Sequence, residues 1–399
     1  MTCKTHNIGI GWQLHDRTGW GGYGINLALQ LLSRPNYLPT LLFPPGRLPE
    51  HPLHHERLTP IITNFNQLAS ALKRTPGFKP QSENLTILHG LGNNFTHNES
   101  PLASTREAGV IFFENTIFND VAKERAKRFP LIITGSHWNG EILKKNNFPE
   151  QIETVIQGID PTTFHPAPKS GIFRNRFVIF SGGKLEYRKG QDIAIAAFKI
   201  FQERHPEALL LTAWHNSWPE SMAEITTAGY VSGLPDSKQD QQQAIAGWLL
   251  NNGLKEDSFI VLPEAPNIYM APVMREADVA LFPNRGEGGT NLVAMEALAC
   301  GIPTILAANS GQLDFADANI CYPIKEQGKV KATTNMPGVE GWGESSIEEI
   351  VETLEEIYDN PNLAQQRARQ ATKHMQDFTW KNQVDKLLQK LNEFFTNNQ

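Results

Sequence analysis

Along the chain, short apolar runs rich in β-branched residues alternate with stretches whose apolar positions recur at helical spacing. This is the pattern of βαβ units and parallel sheets. In the first half the runs Ile8–Gly11, Thr40–Phe43, Leu85–Leu88, Val110–Phe113, Leu131–Thr134 and Thr154–Ile156 read as strands. In the second half the strands are Phe177–Phe180, Ala208–Ala213, Phe259–Leu262, Val279–Phe282 and Thr304–Leu306. Between the two sets lies the segment Phe164–Gly171, whose prolines, glycine and polar residues mark a domain boundary. The expected architecture is two α/β domains, residues 1–166 and 172–380. The glycine-rich segment Asn335–Ser346 reads as a surface loop, and Ile347–Tyr358 and Lys381–Phe395 as helices.

Size and composition support this division. A chain of 399 residues exceeds one ordinary core, and 40% hydrophobic with 20% charged residues describes a globular chain. No apolar run is long enough to cross a bilayer, and the start lacks the pattern of a signal peptide. Cys3, Cys300 and Cys321 have neither metal spacing nor an even count for disulfides, so a reducing cytoplasm is the expected location. The net charge of −6 offers no attraction to phosphate backbones, which excludes nucleic acid as the expected partner. No broad basic cluster or basic amphipathic helix marks a membrane-docking surface, leaving peripheral attachment at most.

The strongest local signal is Val279–Pro303, which reads as strand, glycine loop, helix, turn and strand. Gly286, Gly288 and Gly289 let the backbone approach a ligand closely, and Thr290 or Asn291 can cap the helix that follows. The free amides and dipole at that helix start suit an anion such as a diphosphate. Cys300, Gly301 and Pro303 end the helix. Glu287 in the loop and Glu296 in the helix can face one crevice and accept from the hydroxyl pairs of a sugar and a ribose. The plainer alternative is a capping loop with two solvated glutamates. Upstream, Lys184 and Lys189 flank a turn that reads either as a diphosphate grip or as a solvated basic turn.

These motifs resemble the signature of the retaining glycosyltransferases of family 4, which have the GT-B fold. The run Glu296–Pro303, preceded by a Glu-Gly loop, is similar to the family's donor-site helix. In that family two glutamates separated by seven residues meet the transferred sugar and the nucleotide ribose. Here eight residues separate Glu287 from Glu296, and strict alignment lands on Gly288, so the loop is one residue longer. The resemblance implies a sugar-side, catalytic role for Glu287 and ribose binding by Glu296. It implies diphosphate binding by Lys184, where the family has arginine, and by Lys189.

Further elements are similar in the same order: Val155–Phe164 to the interdomain segment, with Gln157 replacing asparagine, and Gly135–Gly140 to a Ser-x-Trp element. Phe378–Lys381 is similar to the start of the last helix, which in GT-B folds packs back on the first domain. Residues 381–399 are accordingly expected there. Gly288, Gly289, Thr290 and Asn291 complete the expected donor loop.

Gly19–Gly24 fits G-x-G-x-x-G by letter, yet several residues separate it from its strand. The next strand ends in Phe43, Pro44 and Pro45 rather than an acidic residue, which disfavours nicotinamide binding. The resemblance instead makes Gly21 and Gly22 part of a loop reaching donor phosphate. Asp16, His89, Glu114 and His137, near strand ends, are candidate acceptor-side groups, and His89 matches a family position near the donor sugar. A hydrogen-bonded structural role is the alternative for His89, and for Glu114. The segment Trp214–Pro219 is either a cleft wall near the base or a rigid core corner.

The chain has no Asp-x-Asp pair, and the cations and helix start can offset the diphosphate, so no essential metal or other cofactor is expected. The resemblance implies transfer with retention; the expected mechanism is front-face displacement, the departing phosphate helping to deprotonate the acceptor. The expected partners are a nucleotide-sugar donor and a sugar, glycolipid or protein acceptor. Competing readings are a sugar-nucleotide epimerase or hydrolase, a non-catalytic nucleotide-sugar-binding protein of the same fold, and, more distantly, a dehydrogenase.

Overall fold

The computed structural model describes residues 5–397 apart from positions 76, 83, 149, 150 and 217, so Cys3 lies outside the described residues. The first sheet comprises β1 (His6–Gly11), β2 (Tyr37–Leu41), β3 (Leu85–Leu91), β4 (Arg106–Ile111), β5 (Leu131–Thr134) and β6 (Gln151–Thr154). Its order is β2-β1-β3-β4-β5-β6, with every pairing parallel. The second comprises β7 (Phe177–Lys184), β8 (Ala208–His215), β9 (Phe259–Val261), β10 (Val279–Phe282), β11 (Thr304–Ala307) and β12 (Tyr322–Ile324). It runs β12-β11-β10-β7-β8-β9, again all parallel. Helices connect the strands, and β5, β10 and β11 are buried at every residue, as strands covered on both faces must be. This is the two-domain GT-B arrangement.

Three expectations need correction. Thr154–Ile156 is not a strand: β6 ends at Thr154, and Val155 and Ile156 lead into the interdomain segment. Gly19–Gly24 is not a loop either. It opens the helix Gly19–Leu32, whose cap Thr18 accepts from the Gly21 amide at 3.1 Å. Asn335–Ser346 is no free surface loop, because it reaches across to the first domain. The Thr116 amide donates to Gly338 O at 3.1 Å, the Gly338 amide to Asn115 Oδ1 at 2.8 Å, and Trp342 Nε1 to Glu114 O at 3.1 Å.

The last helix, Trp380–Asn397, places Trp380, Val384, Leu387, Leu391 and Phe395 in the same apolar cluster as Ile8, Ile10 and Leu27 of the first domain. Trp380 stacks on Tyr23 with ring centroids 5.5 Å apart. Its approach is held where the chain crosses between domains: the Ile159 amide donates to Phe378 O at 2.8 Å, and the Trp380 amide to Ile159 O at 3.0 Å. The two crossings and the 335–346 strap bring the carboxyl ends of both sheets to face one another, the position where open parallel sheets bind ligands.

Candidate active site

Between the domains lies a cavity of about 710 Å³. Residues from both sheets line it: Asp16, Trp20, Gly22 and Glu114 from the first domain, and Lys184, Arg188, Lys189, Glu287, Gly289, Asn291 and Glu296 from the second. The second-domain side begins where β10 ends and the chain turns through Asn284, Arg285 and Gly286. Asn291, at φ +59°, caps the helix Leu292–Ala299 by accepting from the Ala294 amide at 3.4 Å, and its own amide donates to Gln312 Oε1 at 3.0 Å. The starts of two helices, at Thr18 and Asn291, therefore meet the same space.

Glu287 is buried at 4% exposure, and both carboxylate oxygens are occupied. Oε1 accepts from Lys189 Nζ and Asn284 Nδ2, and Oε2 from Arg188 Nη1 at 2.8 Å. Burial alone pushes its carboxyl upward, but Lys189 and Arg188 outweigh it and hold the group below its usual range. Glu296 shows the opposite balance. Equally buried, it accepts from Asn267 Nδ2 at 2.9 Å and has no ion pair among the described residues, so burial, with Asp160 adding, pushes it up to about 8. One cavity thus holds an anionic carboxylate and one that is neutral below about pH 8 in the free protein.

The basic turn Tyr187–Lys189 is fixed from below by Arg285, which is fully buried. Arg285 makes a two-pronged pair with Asp192 at 2.7 Å, binds Glu344 at 2.6 Å, and donates to Tyr187 O at 2.7 Å. Its backbone amide donates to Arg188 O at 2.7 Å, so loop and turn form one unit. Lys184, at the end of β7, lies 3.0 Å from Glu186 Oε2 and 4.8 Å from the Trp218 ring centroid. Trp218 also lines the cavity, whereas Trp214 is fully buried and donates to Ser181 Oγ, so this segment is a cleft wall at one end and a core corner at the other.

Several anticipated residues face elsewhere. A Cβ on Gly21 would lie 2.2 Å from His15 O, and one on Gly288 2.4 Å from Phe113 O, so these glycines permit close backbone packing rather than lining the cavity. Gly22 opens to free space. Thr290 is buried, with its hydroxyl on Met295 Sδ at 3.0 Å. His89 is 1% exposed within the sheet, its Nε2 3.0 Å from Glu107 Oε2, and the structure does not bring it to the cavity. His137 opens the helix His137–Lys145 and pairs with Asp314 at 3.2 Å, also away from the cavity lining.

Asp16 and Glu114 do line the cavity, and burial raises both carboxyls above their usual range. Sequence patterning does not single out Arg188 or Asn267. Arg188 was signalled only by its place beside Lys189 in the basic turn, and nothing local marked Asn267.

The family model for family 4 glycosyltransferases in conflict systems matches residues 140–387. The D-inositol 3-phosphate glycosyltransferase 1 of Catenulispora acidiphila is 28% identical over 246 residues, covering 60% of this chain and 51% of that protein. The chain spans about half the length of the curated relatives it matches. Among solved structures, sucrose-phosphate synthase from Thermosynechococcus elongatus superposes with a TM-score of 0.65 at 16% identity, over 98% of this chain and 100% of that one. HepE from Anabaena in complex with UDP-glucose gives 0.61 at 16% identity, over 96% and 99%. The matched segment contains the basic turn, the glycine loop, Glu287, Glu296 and the first part of the returning helix. The chain therefore belongs to the family 4 glycosyltransferases, the group described from conflict systems.

Proposed function

We propose that the protein transfers a glycosyl group from a nucleoside diphosphate sugar to an acceptor hydroxyl, with retention at the anomeric carbon and without an essential metal. One observation carries the reading: Glu287, Glu296, Lys184, Lys189 and the helix start at Asn291 face a single cavity between the two sheets. The diphosphate sits against Lys184, Lys189 and that helix start, which oppose its charge as the bond to the sugar breaks. Glu296 binds the ribose and Glu287 the transferred sugar, the longer loop notwithstanding. With Arg188 and Asn284 donating to its oxygens, Glu287 is a poor nucleophile and a good acceptor for sugar hydroxyls. This supports front-face displacement, in which the departing phosphate oxygen takes the acceptor proton. His89 has no role in this scheme.

The relatives named for D-inositol 3-phosphate and the neighbour bound to UDP-glucose support a nucleotide-sugar donor and a small polyol or sugar acceptor. The free, buried Cys300 and Cys321 fit a reducing compartment, the cytoplasm, and no helix among the described residues is long and apolar enough to cross a membrane. The test is turnover of UDP-, GDP- and ADP-linked glucose with and without sugar and polyol acceptors, repeated after chelation. The reading expects nucleotide release that depends on acceptor, survives chelator and preserves the anomer. Equal donor consumption without acceptor would mean a hydrolase or epimerase. An inverted product or lost activity in chelator would overturn the mechanism.

A further inference from the structure

Neither the glycine loop nor the paired lysines explains the charged side chain between them. The Arg188 guanidinium reaches three carboxylates from three parts of the fold. Nε lies 2.7 Å from Glu186 Oε1 on its own turn, Nη1 2.8 Å from Glu287 Oε2 on the glycine loop, and Nη2 3.5 Å from Glu114 Oε1 of the first domain. Among the described residues no other cation pairs with three carboxylates. Lys184 and Lys189 hold one each, Glu186 at 3.0 Å and Glu287. The cluster pairs three basic side chains with three carboxyl groups before any ligand arrives.

Donor binding, on the reading above, upsets that pairing. A diphosphate offers both lysines more charge than a carboxylate does and draws them away from Glu186 and Glu287. Buried carboxylates that lose their cations take up protons, and a protonated Glu287 no longer presents two accepting oxygens to the sugar. We propose that Arg188 is a positioning residue that keeps Glu287 ionised and aimed at the transferred sugar while Lys189 serves the diphosphate. Through Glu114 it also ties that geometry to the acceptor wall. A guanidinium suits the task because it stays charged at every working pH and its fork spans two carboxylates at once. The charged groups facing Glu287 are Arg188 and Lys189, with Glu114 and Glu186 beyond Arg188. Asn284 adds an uncharged donor.

The experiment compares wild type, Arg188→Gln and Arg188→Lys on a nucleotide sugar that the wild type turns over, from about pH 5 to about pH 9. In Arg188→Gln, kcat at pH 6 falls on the order of 100-fold, more than donor KM rises. Its acid limb moves up by about one pH unit or more, because Glu287 must be ionised and now titrates higher. Arg188→Lys recovers part of kcat and leaves an intermediate limb, since a point charge cannot span both carboxylates. That variant carries the test if Arg188→Gln does not fold. A folded variant with the wild-type acid limb, or a loss confined to donor KM at every pH, overturns the proposal. A wild type that binds and turns over no nucleotide sugar removes the donor reading instead, so the two failures are distinguishable.

Discussion

The two walls of the cleft differ in how far their polar groups are satisfied. On the second-domain wall Lys184, Arg188, Lys189, Glu287 and Glu296 each have a charged or amide partner, and Arg285 secures the turn beneath them. On the first-domain wall neither carboxylate oxygen of Asp16 has a hydrogen bond among the described residues although the side chain is buried, and Arg47 lies 3.6 Å away. Glu114 meets only the far edge of Arg188, at 3.5 Å, and His54 stacks on His51, with burial lowering its basicity. On the proposed reading, the wall satisfied in advance takes the ligand of constant chemistry, the diphosphate and ribose. A wall with unmet acceptors is completed by the hydroxyls of whatever it selects.

The largest effect expected on this contrast comes from Glu287→Gln, which removes the anion held by Arg188 and Lys189 and leaves both cations buried. Transfer should fall by about 10²–10³ in kcat with the nucleotide still bound; steady-state kinetics beside nucleotide calorimetry would show it. Next come Lys184→Met and Lys189→Met, each weakening donor affinity by about tenfold to a hundredfold, with an attenuated salt dependence. Calorimetry at two ionic strengths checks this, and an unchanged affinity would mean the diphosphate lies elsewhere.

Glu296→Gln sharpens the comparison by separating binding from stability. Its carboxyl, pushed up to about 8, keeps a proton in the folded protein that the unfolded chain loses above its ordinary range. Between about pH 4.5 and about pH 8 the folded state therefore binds more protons, and this group's contribution to stability falls as pH rises. The glutamine variant should lack that decline and melt higher than wild type near pH 8, while binding nucleotide about tenfold more weakly. Melting temperatures across pH, with and without nucleotide, report both. The smallest expected effect on the donor is that of Asp16→Asn: affinity for nucleotide within about twofold, and acceptor KM raised about tenfold. An Asp16→Asn variant that weakened nucleotide as much as Lys184→Met does would erase the distinction between the walls.

The second-domain wall is the legible one because local chemistry writes it into short segments. A glycine loop, a cap and a helix start occupy consecutive positions, so Glu287, Asn291 and Glu296 could be read together. Similarly, strands buried on both faces stood out as continuous apolar runs, and β5 and β10 fall where those runs do.

The remaining features are long-range or weakly patterned. The helix Pro52–Arg74 does carry an apolar stripe, Leu58, Ile61, Phe65 and Leu68, but Pro60 inside it breaks the helical reading of the segment. β12, three residues containing Pro323, is a sheet edge with almost no signal. The strap from Asn335 to Ser346 has a loop's composition, and its contacts with Glu114, Asn115 and Thr116, which show that it joins the domains, are long-range. His89 sits at the end of a candidate strand, yet side-chain direction, which spacing does not encode here, turned it toward Glu107 instead of the cleft.

A crystal structure with an intact nucleotide sugar, at a pH where the wild type is active, tests the central claim most directly. The account predicts diphosphate density between Lys184, Lys189 and the amides after Asn291, the ribose within hydrogen-bond reach of Glu296, and the hexose beside Glu287 with Arg188 still on that carboxylate. Density for the diphosphate anywhere else, or Glu287 and Glu296 left untouched by the bound donor, would contradict it.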